Sequence, residues 1–245
     1  MKREWLGLTI LWAVLTTLGI IGVAQWQIFP SPSSQEAAIV DRAMMILTLM
    51  SVPIFFMVVV VLVYSALRFR HRGEPTADGP HMAGNRGLTI TWVVVTFLLT
   101  VLLAGMGSMG LIEIRKAEAE VDQNALVVQV TGSRWLWQYS YPGQDVRSSK
   151  ELVLPIHQPV RFEITASDVL HSFWIPAFRM KIDAVPGMET VIYATPNKLG
   201  DFVDDESFRV QCSQMCGLAH SNMTTPVRVV TEEAFNAWVQ ERRKG

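Results

Sequence analysis

Long apolar runs dominate the first part of the chain and stop near Glu113. Three of them reach the roughly 20 apolar residues that a spanning helix needs: about Trp5–Trp26, about Ala43–Leu67 with Pro53 inside it, and about Leu88–Ile112. The stretch from Ile54 to Ala66 carries no charge and is apolar on nearly every face, which argues against a buried core helix with one polar side. From Asn124 onward the pattern shortens to β-rich runs, predicting strands at 125–131, 135–141, 150–154, 160–166, 190–195, 208–211 and 226–231. Turn signals separate them: Pro142-Gly143, His157-Gln158-Pro159, Pro186-Gly187, and Pro196-Asn197 before Gly200. Short strands at this spacing predict a β-sandwich or barrel. Thr231-Glu232-Glu233 then predicts a closing helix, with Thr231 as N-cap and Phe235, Trp238 and Val239 on one face.

Three domains follow: a first transmembrane helix or uncleaved signal-like segment (1–30), a transmembrane hairpin (31–115) with an inside loop near 68–87, and a β domain with a C-terminal helix (116–245). Lys2 and Arg3 ahead of the first run, and Gly22-Val23-Ala24 at its end, also fit a cleavable leader, but the run exceeds the usual h-region. Arg68, Arg70, Arg72 and Arg86 put the second loop in the cytoplasm, while Pro30–Arg42, with Glu36 and Asp41, faces outward. The expected location is the cell inner or plasma membrane, multi-pass, with the C-terminal domain on the periplasmic or extracytoplasmic side; this side is the same whether or not the first segment is cleaved. Half of the 245 residues are hydrophobic and 18% are charged, against about 25% in soluble chains. A net charge of -1 offers no basic patch, so lipid rather than nucleic acid is the expected surroundings.

The informative chemistry lies in Cys212-Ser213-Gln214-Met215-Cys216-Gly217-Leu218-Ala219-His220-Ser221-Asn222-Met223. Thiolates, an imidazole and a thioether within one short stretch are the soft or borderline donors that copper prefers. A disulfide between the cysteines, a zinc site, and a packing role for Met223 compete with that reading. A second histidine, His171, stands in Asp168-Val169-Leu170-His171-Ser172-Phe173-Trp174-Ile175-Pro176 and offers the further imidazole that a two-cysteine copper site needs.

These motifs, with Lys181-Ile182-Asp183-Ala184-Val185-Pro186-Gly187 and Trp135-Leu136-Trp137-Gln138-Tyr139, resemble subunit 2 of the haem-copper oxidases over about residues 40–240. The resemblance implies an α-helical membrane anchor and an all-β cupredoxin-like Greek-key barrel holding a binuclear copper centre, CuA. It implies that Cys212 and Cys216 bridge both copper ions, that His171 and Met223 complete one, and that His220 and the carbonyl of Gln214 complete the other. It implies electron entry at Trp135, a residue whose alternation with Trp137 and Tyr139 also fits a core aromatic. The implied partners are oxidase subunit 1, other oxidase subunits and cytochrome c or a similar donor, with Asp145 and Asp168 as candidate docking charges. The β domain's modest acidic excess permits a basic donor without demanding one. The implied function is electron transfer to haem in subunit 1, where oxygen is reduced to water with proton translocation.

Two positions depart from the family pattern. Gln214 stands where many members have the glutamate that also holds Mg²⁺ at the subunit 1 border; the carbonyl is kept, but the hard cation loses its carboxylate. Thr89, three residues before Trp92, occupies the place of a proton-entry glutamate and has no group that titrates near neutral pH, which leaves His81 or Glu74 as substitutes. The alternatives are a CuA subunit of a nitric oxide reductase and a membrane-tethered copper-binding or redox protein with no catalytic partner.

Overall fold

The computed structural model describes residues 2–26, 29–70, 73, 84–121 and 124–244; Arg72, Glu74 and His81 lie outside these. Three helices among the described residues are long and apolar enough to cross a membrane: α1 (Lys2–Gln25), α2 (Gln35–Arg68) and α3 (Arg86–Val121). The last two begin and end beyond the apolar runs because polar residues cap and continue them. Ser34 Oγ accepts from Ala37 N–H at 3.0 Å at the start of α2, and Asn85 Oδ1 accepts from Leu88 N–H at 3.1 Å at the start of α3.

The chain divides into two compact units. The first is Met1–Ile28 with Arg42–Met109. In it Trp12 Nε1 donates to the carbonyl of Pro53 at 2.8 Å, which ties α1 to α2. The second unit is Phe29–Asp41 with Gly110–Gly245, and it holds the β domain.

Among the described residues eleven strands build that domain: β1 (Leu126–Ser133), β2 (Leu136–Tyr141), β3 (Val146–Ser148), β4 (Leu152–Pro155), β5 (Val160–Ala166), β6 (His171–Ile175), β7 (Met180–Ala184), β8 (Thr190–Ala194), β9 (Gly200–Asp201), β10 (Arg209–Cys212) and β11 (Thr224–Val230). They form two sheets, ordered β3-β2-β1-β5-β8 and β4-β11-β10-β6-β7, with β9 on β11. Most pairs are antiparallel; β1 with β5 and β4 with β11 are parallel. In β5 the alternation buries Val160, Phe162, Ile164 and Ala166, and in β1 it buries Leu126, Val128 and Val130, as strands with one buried face require. Every residue expected to lie in the core of α4 (Glu232–Arg243) does so: Phe235, Trp238 and Val239 are buried, and Thr231 Oγ1 accepts from Ala234 N–H.

Four strands escape the sequence reading: β3, β6, β7 and β9. β9 has two residues and β3 three, below the length at which alternation is visible. β6 is buried on both faces except at Trp174, so it shows no alternation.

The loop before α2 is more than a connection. Ser33 and Ser34 are fully buried on the β domain. Ser33 N–H donates to Ala177 O, Asn197 N–H to Ser33 O, and Gln35 N–H to Thr195 O. Glu36 accepts from Thr195 N–H at 3.0 Å. Arg179 donates to both carboxylate oxygens of Asp41, at 2.7 and 3.0 Å, and to the carbonyls of Pro30 and Pro176.

Candidate metal centre

Strand pairing brings the two halves of the motif together. β6 and β10 are antiparallel neighbours with Cys212 opposite Phe173. Side chains two apart on a strand share a face, so His171, at the start of β6, lies on the side shared by Phe173 and Cys212. Cys212 ends β10, and Met223 stands just before β11; Cys212 N–H donates to Met223 O at 3.0 Å and closes the loop between them. A further bond from Ser213 N–H to Ser172 O pins the loop to β6. Gly217 makes the loop's bend at φ +119°, a conformation that a residue with a Cβ rarely adopts.

Within this frame Cys212 Sγ lies 3.8 Å from Cys216 Sγ, and both thiols are free. His171 Nδ1 is 3.8 Å from Cys212 Sγ, and Met223 Sδ is 3.9 Å from Cys216 Sγ. His220 Nδ1 is 3.5 Å from Cys216 Sγ, and the carbonyl of Gln214 is 3.2 Å from Cys212 Sγ. The arrangement has an approximate two-fold character: each sulfur has one imidazole and one weaker donor beside it. His171, Cys212, Cys216 and Met223 are buried. Burial, and the neighbouring Cys212 thiol, push the Cys216 thiol up to about 11, so binding a metal through that sulfur as thiolate would release a proton.

The donor set fits copper. It combines two thiols, two imidazoles, a thioether and a carbonyl, and the thioether is a poor zinc ligand. Among the described His, Cys, Asp and Glu residues, His171, Cys212 and Cys216 form a group whose ligand atoms all lie within 4.8 Å of one another.

His171 is oriented from behind. Its Nε2 lies 2.9 Å from Asp168 Oδ1, which leaves Nδ1 toward the sulfurs, a carboxylate–imidazole pairing common at metal sites. Burial acts to raise the Asp168 pKa. The hydrogen bonds from His171, from Arg134 N–H, from Val169 N–H and from the Arg134 guanidinium outweigh it and hold the carboxyl well below the usual range. Asp168, read from sequence as a candidate docking charge, also bonds His171 and Arg134 while its side chain stays 26% accessible. Gly132 makes room for the ring, since a Cβ there would lie 3.2 Å from His171 Cδ2 and 3.0 Å from Trp137.

Trp135 and Trp137 have different settings. Trp137 is fully buried, with its ring edge-on to His171 and Phe173. Trp135 precedes β2, stays 38% exposed, and lies against Gly217, where a Cβ would approach its ring at 3.3 Å. The alternation that suggested a core aromatic begins after Trp135. The side chain of Gln214 is exposed. Thr89 sits in the first turn of α3 and donates its hydroxyl to Asn85 O. Asp145 follows the short turn after β2 with φ 52°.

Fold and site together define three apolar helices long enough to cross a membrane and a β domain with a candidate soft-donor metal site. Residues 144–230 match the family model "Cytochrome C oxidase subunit II, periplasmic domain". Cytochrome c oxidase subunit 2 of Cereibacter sphaeroides is 30% identical over 227 residues, covering 77% of this chain and 71% of the relative. The protein of the same name from Alkalihalophilus pseudofirmus is 30% identical over 187 residues, covering 75% of this chain and 53% of the relative. The chain thus spans about half the length of that relative and of the Bacillus subtilis one. A crystal structure of the periplasmic domain of subunit II of the Bradyrhizobium japonicum cytochrome oxidase aligns at 32% identity and TM-score 0.45, covering 49% of this chain and 94% of that one. This chain belongs to the cytochrome c oxidase subunit 2 family.

Proposed function

We propose that the chain is the electron-accepting subunit of a terminal haem-copper oxidase, taking electrons from cytochrome c or an equivalent donor and passing them to haem on subunit 1, where oxygen is reduced to water with proton translocation. The observation that carries this reading is the gathering of two imidazoles, a thioether and a carbonyl around the two neighbouring cysteine sulfurs. Cys212 and Cys216 would bridge two copper ions, with His171 and Met223 completing one and His220 and the Gln214 carbonyl the other. When bound, such a pair supplies one-electron transfer with its charge shared over both metals.

The chain's own residues prepare the site. Asp168 holds the His171 ring so that Nδ1 faces the sulfurs. Pairing within one sheet holds β6 and β10 in register, and Cys212 and Met223 are buried from water. Trp135, exposed on one side and packed on Gly217 on the other, is the entry residue, and its indole gives a donor an aromatic contact one residue from Cys216. Topology from the basic residues puts the β domain on the periplasmic face of the inner or plasma membrane, anchored by three helices. The domain organisation we favour is the anchor helix to about residue 30, the hairpin to about 115 and the copper domain beyond. A Mg²⁺ ion at the subunit 1 border lacks its carboxylate at Gln214, and proton entry at Thr89 lacks a titratable group.

Copper analysis with low-temperature EPR on the full chain purified in mild detergent tests this. Two coppers per chain with a signal delocalised over both, and a haem-bearing subunit in the same fraction, are expected. One copper with a localised signal, or zinc, would overturn the ligand assignment. The delocalised pair without any haem-bearing subunit would favour the tethered redox protein.

A further inference from the structure

The donor cluster is closed to solvent along most of its lining. His171 and Met223 are fully buried, and Cys212 and Cys216 are 2% and 5% accessible. Pairing of Cys212 with Phe173 covers one side, and the bond from Cys212 N–H to Met223 O shuts the base of the loop. The exposed positions of the loop lie along 214–222, where His220 is half-buried. A metal ion arriving from solvent meets the cluster across this stretch.

Among the described residues of 214–222, Met215 is the one exposed side chain with a soft donor atom; Gln214, Ser221 and Asn222 offer oxygen or amide groups and Leu218 offers none. The β domain has four methionines. Met180 and Met223 are buried in its core, whereas Met188 and Met215 stand 57% and 74% accessible. Single exposed apolar side chains are ordinary, so exposure alone assigns nothing to Met188. Met215 differs by position. It precedes Cys216, whose Sγ lies 3.8 Å from Cys212 Sγ, 3.5 Å from His220 Nδ1 and 3.9 Å from Met223 Sδ. Consecutive Cα atoms lie about 3.8 Å apart, and an unbranched, flexible side chain lets the thioether sweep the approach to that sulfur.

We propose that Met215 is a capture ligand for Cu(I): its thioether takes the ion at the surface and passes it to Cys216 and His220, and it has no place in the filled site. This rests on the copper-binding role proposed above. Thioether sulfur is a soft donor that selects Cu(I), and the oxygen and amide groups beside it do not compete for so soft an ion. Capture makes the next step intramolecular, at a high effective concentration of the ion beside Cys216. In the transfer one Cu–Sδ bond breaks as one Cu–Sγ bond forms, the thiol proton leaves to solvent, and copper stays Cu(I), so no electron is exchanged. A single neutral thioether holds the ion loosely, which is what a donor that must release it requires.

The test uses the full chain purified in mild detergent, stripped of metal and with both thiols reduced. The metal source is the Cu(I)–bicinchoninate complex, whose loss of colour in stopped flow gives the loading rate. Met215→Leu keeps the volume and drops the sulfur; it is expected to slow loading about tenfold or more. Its final copper content, and its EPR signal after oxidation with ferricyanide, should equal those of the unaltered chain. Met188→Leu is expected to load within about twofold of the unaltered rate, and Met215→His, which supplies another donor for Cu(I), to recover most of it. In a chain carrying Cys212→Ser and Cys216→Ser, with its methionine methyls labelled with ¹³C, the redox-inert Ag(I) ion should still shift the Met215 resonance. Loading of Met215→Leu at the unaltered rate, or a Met215 methyl indifferent to Ag(I), would overturn the proposal. A lower copper content or altered EPR signal in Met215→Leu would place the side chain in the filled site and overturn the transient role as well. If the unaltered chain takes up two coppers at a rate that ignores Met215, only the capture role fails. If it takes up no copper pair, the copper-binding role fails and the capture role with it.

Discussion

Asp168 Oδ1 lies 2.9 Å from His171 Nε2, three residues along the chain and on the far side of the imidazole from the cysteine sulfurs. One carboxylate thereby decides which ring nitrogen faces the metal-binding point. The same carboxylate receives Arg134, the residue before Trp135, so the histidine and the exposed tryptophan share one anchor.

Replacing that anchor while keeping its shape should weaken the metal without unfolding the domain. Asp168→Asn is expected to lower copper affinity by roughly 10- to 100-fold, the usual cost of losing such a partner. Competition with a copper chelator measures it, and affinity unchanged within twofold would remove Asp168 from the site.

Met223 is fully buried and belongs to the hydrophobic core as well as to the donor cluster. Met223→Leu conserves volume and is expected to cost less than about 1.5 kcal/mol of stability. Its EPR signal and reduction potential should nevertheless change, because the thioether is gone. A variant with both unaltered would make Met223 a packing residue only.

Trp135→Leu keeps apolar bulk over Gly217 but removes the indole. Copper content is expected to stay at two per chain while electron uptake from the donor protein falls about tenfold or more, read as a lower kcat rather than a higher KM. Equal loss of copper and activity would point to a structural role at the loop.

Gly217 adopts φ +119° and leaves 3.3 Å to the Trp135 ring. Gly217→Ala is therefore expected to destabilise the loop by about 1–3 kcal/mol. Thermal unfolding of the metal-free and copper-loaded chains would show it as a smaller stabilisation by copper.

The Arg179–Asp41 pair holds the 29–41 segment, the loop and first turns of α2, on the β domain, with side chains only 12% and 16% accessible. Breaking a bidentate, largely desolvated pair leaves the second charge poorly solvated, so Asp41→Asn should cost about 1–3 kcal/mol. Limited proteolysis within 29–41 is the readout; a cleavage rate equal to that of the unaltered chain would count against the tether.

What the sequence determined by itself was local: length and apolarity predict three long helices, alternation in 125–131 and 160–166 predicts strands with one buried face, and the residue types in 212–223 already form a copper-preferring set. These properties depend on neighbours along the chain, so they are legible there. The strand β6 was not, because burial on both faces erases the alternation that marks a strand. Nor could spacing say that Asp168 bonds His171, that Trp135 lies on Gly217, or that Phe29–Asp41 joins the β domain. Only the tertiary structure decided these. Each depends on the register of strands far apart in sequence, above all Cys212 opposite Phe173, and that register is set by how two sheets bury their inner faces together.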